Sequence, residues 1–309
     1  MTACEYAVIA GSTRNPREAG PATYDTAMHP GYITRTMTRD ELAIAIEWAA
    51  QEGWNPGLHD AATFTTADPQ GFFIGLLDDE PVASISVVRY EPGFAFLGLY
   101  IVRPEWRGKG FGWALWQHAM RSAAGRLVGL DGVVAQQGNY RKSGFELAWR
   151  NVRYEGRGGA IAREDARIVE LHDVPFEDVR DFDGAYFPAE RTAFLHAWFA
   201  QPDATALAWV EHGRLQGYGL IRRCRTGWKI GPLFADREDI ADALFLTLCA
   251  RATSDEPVYL DLPEPNAAAV ALARRHDMKM VFETARMYTG RPPAVNMQGL
   301  YGVTTFELG

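Results

Sequence analysis

Residues 97–120 read LGLYIVRPEWRGKGFGWALWQHAM, and the change of character along this stretch decides the fold. Leu97 to Val102 is an apolar run of strand type. Pro104 interrupts it, Gly108, Gly110 and Gly112 follow at alternate positions, and a helix-forming segment comes next. Glycines in a strand-to-helix turn let the backbone approach a ligand and take conformations that a Cβ resists. The free N–H groups of the first helical turn, and the positive end of the helix dipole, then converge on one spot. Such a spot is an anion cradle suited to phosphate. Arg107 and Lys109 add cations beside it. The stretch predicts a pyrophosphate site.

A Walker loop needs Gly-Lys-Ser/Thr after its spacer, and none is present. A dinucleotide fingerprint has Asp131 at about the right distance, but the spacing here is G-x-G-x-G rather than G-x-G-x-x-G. The strand is also preceded by hairpin-like strands (82–90 and 94–102 across EPG), not by the opening of a βαβ unit. VRPEWRGKGFGWAL instead resembles the acetyl-CoA loop of the GNAT N-acetyltransferase superfamily: apolar strand, proline, Arg-Gly-x-Gly-x-Gly/Ala, helix. The resemblance implies that Ile101 and Val102 offer backbone groups to the pantetheine arm of acetyl-CoA. It also implies that Arg107, Gly108, Lys109, Gly110, Phe111, Gly112 and Trp113 hold the pyrophosphate.

The chain has 309 residues, and with roughly 150 per domain two domains are expected. Hydrophobic content of 47% with 23% charged residues is ordinary for a globular protein. The longest apolar runs are too short to span a bilayer, and the N-terminus lacks a basic-then-apolar signal, so a cytoplasmic protein is expected. Cys4, Cys224 and Cys249 are scattered without metal spacing, which fits a reducing compartment and predicts no metal site. The net charge is −8. No basic run interleaves with aromatics, so a cationic amine is a more natural partner than nucleic acid.

Residues 1–30 carry no periodicity and read as an irregular N-terminal arm. YITRT is a short strand, after which Thr38 and Glu41 form a capping box for a helix that Gly53 ends. FFIGLL and VASISVVRY flank a polar hairpin turn at Asp78-Asp79-Glu80-Pro81. The strand and helix of the opening stretch follow, then a strand near 126–130, a helix near 133–142 and the strand GFELAWRNVRY. With one helix in 55–68, this β-α-β-β-β-α-β-α-β order is the GNAT order.

The pattern then recurs after about 130 residues. RIVEL, helical segments, TALAWVE and LQGYGLIRR across His212-Gly213, GWKIGPLF, DIADALFLTLCARA, PVYLDL, EPNAAAVALARRHDM and MVFETARMYTG repeat it in order. So long a repeat reads as two copies of one domain. The expectation is an α/β (α+β) protein of two tandem GNAT-like domains, each a mixed, mostly antiparallel sheet flanked by helices. Residues 31–155 form the first and 166–309 the second, joined by EGRGGAIARED (155–165). The second copy has GPLFADREDI in place of the glycine loop. Asp236, Glu238 and Asp239 at its helix start would repel a pyrophosphate, so acyl-CoA is expected in the first copy. The second is left to pack, to wall the acceptor site, or to oligomerise, a homodimer among the arrangements open to it.

Acyl transfer to an amine needs a neutral amine, a donor for the oxyanion and a proton for the departing thiolate. In the family the proton donor is often a tyrosine four residues before Gly-Phe, and YRKSGF places Tyr140 there. The family commonly has Asn earlier on this helix; here Val133 stands at that place, with Gln136 and Gln137 nearby. The second copy has Asn266 but Ala273 at the tyrosine position. The oxyanion donor is expected, on resemblance alone, from strand backbone near Tyr100–Val102, at a bulge. No side chain announces itself as the base: Glu47 and Glu91 fit surface carboxylates better. GWNPGLHDA (53–61) concentrates polar and aromatic groups, so Trp54, Asn55, His59 and Asp60 are candidate acceptor contacts beside the reading of a helix-stop loop. The function expected is transfer of an acetyl group from acetyl-CoA to a primary amine. A non-catalytic acyl-CoA sensor or scaffold is the alternative.

Overall fold

A computed structural model describes residues 30–309; the arm expected over 1–30 lies, apart from Pro30, outside them. The first repeat runs β1 (Tyr32–Thr36), α1 (Leu42–Gln51), α2 (Asp60–Phe64), β2 (Phe72–Leu77), β3 (Glu80–Tyr90), β4 (Phe94–Val102), α3 (Phe111–Arg121), β5 (Leu127–Val133), α4 (Gln137–Lys142) and β6 (Glu146–Arg157). The second runs β7 (Ile168–Glu170), α5 (Phe176–Asp183), α6 (Thr192–Phe199), β8 (Ala204–Glu211), β9 (Arg214–Arg223), β10 (Trp228–Ala235), α7 (Glu238–Cys249), β11 (Pro257–Pro263), α8 (Ala267–Arg275) and β12 (Lys279–Tyr288). A short β13 (Leu300–Gly302) follows.

Local chemistry accounts for the element boundaries. The Thr38 N–H donates to Glu41 at 2.7 Å and the Glu41 N–H to Thr38 Oγ1 at 3.3 Å, the reciprocal capping box before α1. Asp78 and Asp79 (φ 49° and 66°), and His212 with Gly213 (φ 51° and 72°), take the left-handed conformations that two-residue hairpin turns require. The helix expected over 133–142 is shorter: β5 runs on to Val133, a 3-10 turn spans 134–136, and α4 begins at Gln137.

The strands form one sheet in the order β1-β2-β3-β4-β5-β12-β6-β11-β10-β9-β8-β7. Matching β1–β6 with β7–β12 makes this order the same from either end, so the two repeats are related by an approximate two-fold axis. The expected mixed, mostly antiparallel sheet flanked by helices is present in each, with one difference. The last strand of each repeat is exchanged: β12 lies against β5, and β6 against β11. Equivalent buried ion pairs sew the exchange. Arg286 on β12 stands opposite Asp131 on β5, and Arg153 on β6 opposite Asp261 on β11. Each guanidinium grips its carboxylate through two nitrogens.

Beyond the exchange, the loop between α1 and α2 clasps the second repeat. The Leu58 N–H donates to Arg223 O and the Arg225 N–H to Pro56 O, both at 3.0 Å. α3 packs on one face of the first repeat's sheet with Leu97, Leu115 and Val128; α1 and α6 share the other face with Phe96, Phe187 and Trp198.

Candidate active site

β4 and β5 pair in parallel from Phe94/Leu127 to Leu97/Leu130 and then part. On its other side β4 loses register with β3 between Gly98 and Ile101, and Leu99 there has φ 47°. The bulge expected near Tyr100–Val102 therefore begins at Gly98–Leu99. Bulges re-aim backbone groups and end pairing, and this one leaves Tyr100, Ile101 and Val102 at the mouth of a splay between two strands.

The glycine turn closes that splay. Gly108 (φ 73°) and Gly110 (φ 89°) are left-handed, and Gly110, which has no side chain to cap with, stands directly before α3. Gly112 sets how close the helix start comes to β4. A Cβ there would sit 2.6 Å from Val102 Cγ2 and 2.8 Å from Tyr100 Oη, so the helix start presses directly on the end of β4. Trp113 stays exposed, and Lys109 lies 4.6 Å over the Trp106 ring. Arg107 does less than its charge suggests for an anion: Nε donates to Val102 O at 2.7 Å and Nη2 pairs with Glu52, so it braces the loop. The cradle fits the pyrophosphate and pantetheine of an acyl-CoA.

Tyr140 reaches the splay from α4. Its ring stacks on Trp116 at 6.0 Å and occupies the space that a Cβ on Gly132 of β5 would take, so only glycine leaves room. Burial pushes its phenol, and that of Tyr100, well above the ordinary value. Both stay protonated at neutral pH. The places of the family's asparagine hold Val133 at the end of β5, buried Gln136, and Gln137, which accepts from Arg150 at 2.8 Å.

The four acceptor candidates of 53–61 are held largely by the second repeat. Asn55 Nδ2 donates to Thr226 O at 2.9 Å, and its carbonyl accepts from Lys229 Nζ at 2.9 Å. His59 Nε2 lies 3.0 Å from Asp203. Asp60 is buried, accepts from the Gly57 N–H at 2.7 Å and pairs with buried Arg222 at 3.1 Å. Trp54 gives its carbonyl to Arg153 at 2.8 Å, while its buried Nε1 has no partner among the described residues. Glu47 and Glu91 sit in exposed pairs with Arg225 and Arg126. His118 contacts Thr34, and His276 contacts Asp242. Among the described residues no cluster of three or more His, Cys, Asp or Glu side chains could hold a metal, and no helix is long and apolar enough to cross a membrane.

In the second repeat the corresponding splay is filled. β10 pairs with β11 only from Trp228/Val258 to Ile230/Leu260 and then shifts register with β9. β13 lies along β10 at Leu233 and Phe234, and the Val303 N–H donates to Asp261 O of β11 at 2.8 Å. Sequence reading missed this strand, which is three residues long and has no periodicity to show.

This fold and loop define a GNAT-type acyltransferase. The description "Acetyltransferase (GNAT) family" matches residues 39–145, and "Acetyltransferase (GNAT) domain" matches 179–302. The chain is 31% identical over 281 residues to a holothin acyltransferase of Pseudoalteromonas sp. (strain SANK 73390), covering 91% of this chain and 96% of that one. The chain therefore belongs to the GNAT acyltransferases, and the non-catalytic alternative gives way. A protein of Pyrococcus horikoshii assigned to the acetyltransferases superposes with a TM-score of 0.79 at 23% identity, over 95% of this chain and 100% of that one. A tandem GNAT protein from the clavulanic acid biosynthesis pathway gives 0.57 at 13% identity, over 84% and 99%. These two likenesses are of fold.

Proposed function

We propose that the protein moves an acetyl group from acetyl-CoA, bound in the first repeat, to a primary amine, with Tyr140 as the general acid. The observation that carries this reading is the splay of β4 from β5 immediately behind a glycine turn, with a buried tyrosine at its side. Acetyl-CoA supplies a thioester carbonyl as electrophile and a thiolate as leaving group. Gly108 to Trp113 would hold the pyrophosphate with backbone N–H groups, and Ile101 and Val102 would hold the pantetheine as a neighbouring strand does. Backbone at the bulge would stabilise the carbonyl oxygen as it gains charge. Tyr140, kept protonated by burial, would give its proton to the sulfur.

The clasp at 53–61 supports a reading in which the second repeat walls the acceptor site, with Asn55, His59 and Asp60 held against that repeat. The name of the Pseudoalteromonas relative assigns its acyl transfer to holothin; for this chain we extend the acyl transfer and the class of amine acceptors. The test is Tyr140→Phe. Acetyl-CoA affinity by calorimetry should stay unchanged, while the maximal rate of amine-dependent thiol release falls by about 10²–10⁴-fold, the usual contribution of a general acid. An unchanged single-turnover rate would remove Tyr140 from the chemistry. Failure of the wild type to bind acetyl-CoA would remove the reading altogether.

A further inference from the structure

The segment after β13 crosses from the second repeat onto the bulge of the first. Thr304 accepts from Arg191 at 2.9 Å, the Leu308 carbonyl from the Tyr90 hydroxyl at 3.1 Å, and residues 303–309 are all buried. The Glu307 Cα lies 3.0 Å from where a Cβ on Gly98 would sit, so this crossing needs glycine at 98. Ser86 stands directly opposite Gly98 in the β3–β4 ladder. Directly opposed residues share a face, so Ser86 points to the side where Glu307 lies. Its hydroxyl is buried and has no partner among the described residues, and neither has Nη1 of Arg222, another buried group near Glu307. A buried polar atom left unpaired costs about 1–3 kcal/mol, which marks this face of the bulge as built to receive polar atoms from outside.

Glu307 brings a carboxylate to this crossing: its main chain lies against the bulge at Gly98, and its side chain is buried. The other acids around the site are spoken for: Asp60, Asp131 and Asp261 are each paired to an arginine, and Glu52 to Arg107. The Glu307 carboxylate accepts from Thr305 Oγ1. Its charge adds to those of Asp261 and Asp60 in favouring the charged forms of buried Arg153 of β6 and Arg222 of β9. Asp261, Asp60, Lys229 and Cys224 are packed beside those two guanidinium groups.

Resting on the acyl-transfer reading above, we propose that Glu307 takes the proton of the acceptor amine, a catalytic carboxylate supplied across the approximate two-fold by the second repeat. The nitrogen lone pair forms the C–N bond to the thioester carbon, and the C–S bond breaks with its electron pair leaving on sulfur. An acceptor that arrives as an ammonium first gives a proton to Glu307, which frees that lone pair. Sulfur takes the Tyr140 proton, and the second proton, left on nitrogen once the C–N bond has formed, returns to the Tyr140 phenolate. The two groups lie on opposite faces of the sheet, Tyr140 with α3 and Glu307 with the α1 side, joined through the splay.

Methylamine and hydroxylamine test this as a near-isosteric pair. At neutral pH the first is almost wholly protonated and the second almost wholly neutral. In Glu307→Gln, acetylation of methylamine should fall by about 10²–10⁴-fold, while that of hydroxylamine stays within a few-fold. Glu307→Asp should recover part of the methylamine rate. Acetyl-CoA affinity by calorimetry should match the wild type, which separates this proposal from the cofactor reading. Any loss of melting temperature acts on both nucleophiles alike and cannot produce the split between them. Equal losses with both nucleophiles, no loss with either, or a wild type that acetylates hydroxylamine but not methylamine would each overturn the assignment.

Discussion

Replacing Arg153 with methionine should destabilise the protein more than the same change at Arg286, although the two arginines are symmetry-equivalent. Arg153 grips Asp261 at 2.6 and 2.7 Å, and Arg286 grips Asp131 at 3.0 and 2.6 Å, all four side chains being buried. Removing one member of such a pair leaves an uncompensated buried charge, typically at a cost of about 3–5 kcal/mol. The carboxylates left behind differ. Asp131 keeps Asn151 Nδ2 at 2.8 Å and Thr284 Oγ1 at 3.2 Å. No second side-chain hydrogen bond to Asp261 is present among the described residues. Both arginines also cover two aromatic rings, Phe282 and Phe306 for Arg153, Phe96 and Trp149 for Arg286, so that contribution roughly cancels. Arg286→Met is therefore placed near 3 kcal/mol and Arg153→Met near 5, roughly the two ends of that range. Urea unfolding followed by tryptophan fluorescence measures both, the midpoint reporting the difference if the slope is unchanged. The double variant Arg153→Met/Asp261→Leu should regain most of the loss, because the stranded charge is gone. Burial alone would raise the Asp261 carboxyl, but Arg153 outweighs it and holds the group below its ordinary value. A depressed carboxylate contributes stability above its unfolded pKa and loses it as pH falls through the folded one. The advantage of wild type over the double variant should thus shrink below about pH 4. A larger cost at Arg286, or a double variant no more stable than Arg153→Met, would refute the reasoning.

Gly110→Val puts a β-branched residue at φ 89°, where such a side chain is strained, and at the mouth of the anion cradle. Calorimetry should find acetyl-CoA affinity at least about tenfold weaker, equivalent to 1.4 kcal/mol, with the far-UV spectrum unchanged; unaltered affinity would move the cofactor elsewhere. Glu41 is held down to about 2, first by its bond from Arg35, with the Thr38 N–H adding to it. Its contribution is present above an unfolded value of about 4.3 and fades as pH falls towards the folded one. The pair is solvent-screened, so Glu41→Gln should cost under about 1 kcal/mol at pH 7, and that cost should disappear as pH falls through about 2.

The parts legible in the sequence are those whose cause is local. The glycine turn, the capping box and the two hairpin turns each follow from residues within a few positions, so their chemistry is written in order along the chain. The repeat of about 130 residues is equally visible, because the same succession of patterns recurs. The exchange of β6 and β12 is not. Two similar strands offer much the same apolar pattern to either slot, and what distinguishes the pairings is the cross-strand meeting of Arg153 with Asp261 and Arg286 with Asp131, more than 100 residues apart. Asp60 shows the same limit. Its loop reads as polar enough to touch a ligand, yet its carboxylate is bound to Arg222, 162 positions away. Glu307 stands in a stretch with no period at all, and becomes visible only once Gly98 is seen to leave room for it.

One acetyl-CoA per chain is the last expectation, and two independent features of the second repeat lead to it. The first is charge: α7 opens with Glu238 and Asp239, which complement the helix dipole themselves, and Arg237 beside them is taken by Asp239 at 3.0 Å and Gln216 at 2.8 Å. The second is volume, because β13 lies where a pantetheine arm would lie between β10 and β11. Asn266 holds it there. The side chain caps α8, accepting from the Ala268 and Ala269 N–H groups at 3.1 and 3.2 Å, and donates to the carbonyls of Leu300 at 2.9 Å and Gln298 at 3.1 Å. The family's asparagine position is thus retained in this half to bind the chain's own backbone. Asn266→Ala removes a cap worth about 0.5–2 kcal/mol and strands a buried carbonyl at about 1–3 kcal/mol, so a loss of roughly 2–4 kcal/mol is expected in urea unfolding. Loosening β13 does not create a phosphate cradle, since the acidic helix start remains. Calorimetry should therefore return a stoichiometry of one for both the wild type and Asn266→Ala. A second equivalent in the variant alone would mean that β13 by itself closes the slot, and a second equivalent in the wild type would mean that neither feature does.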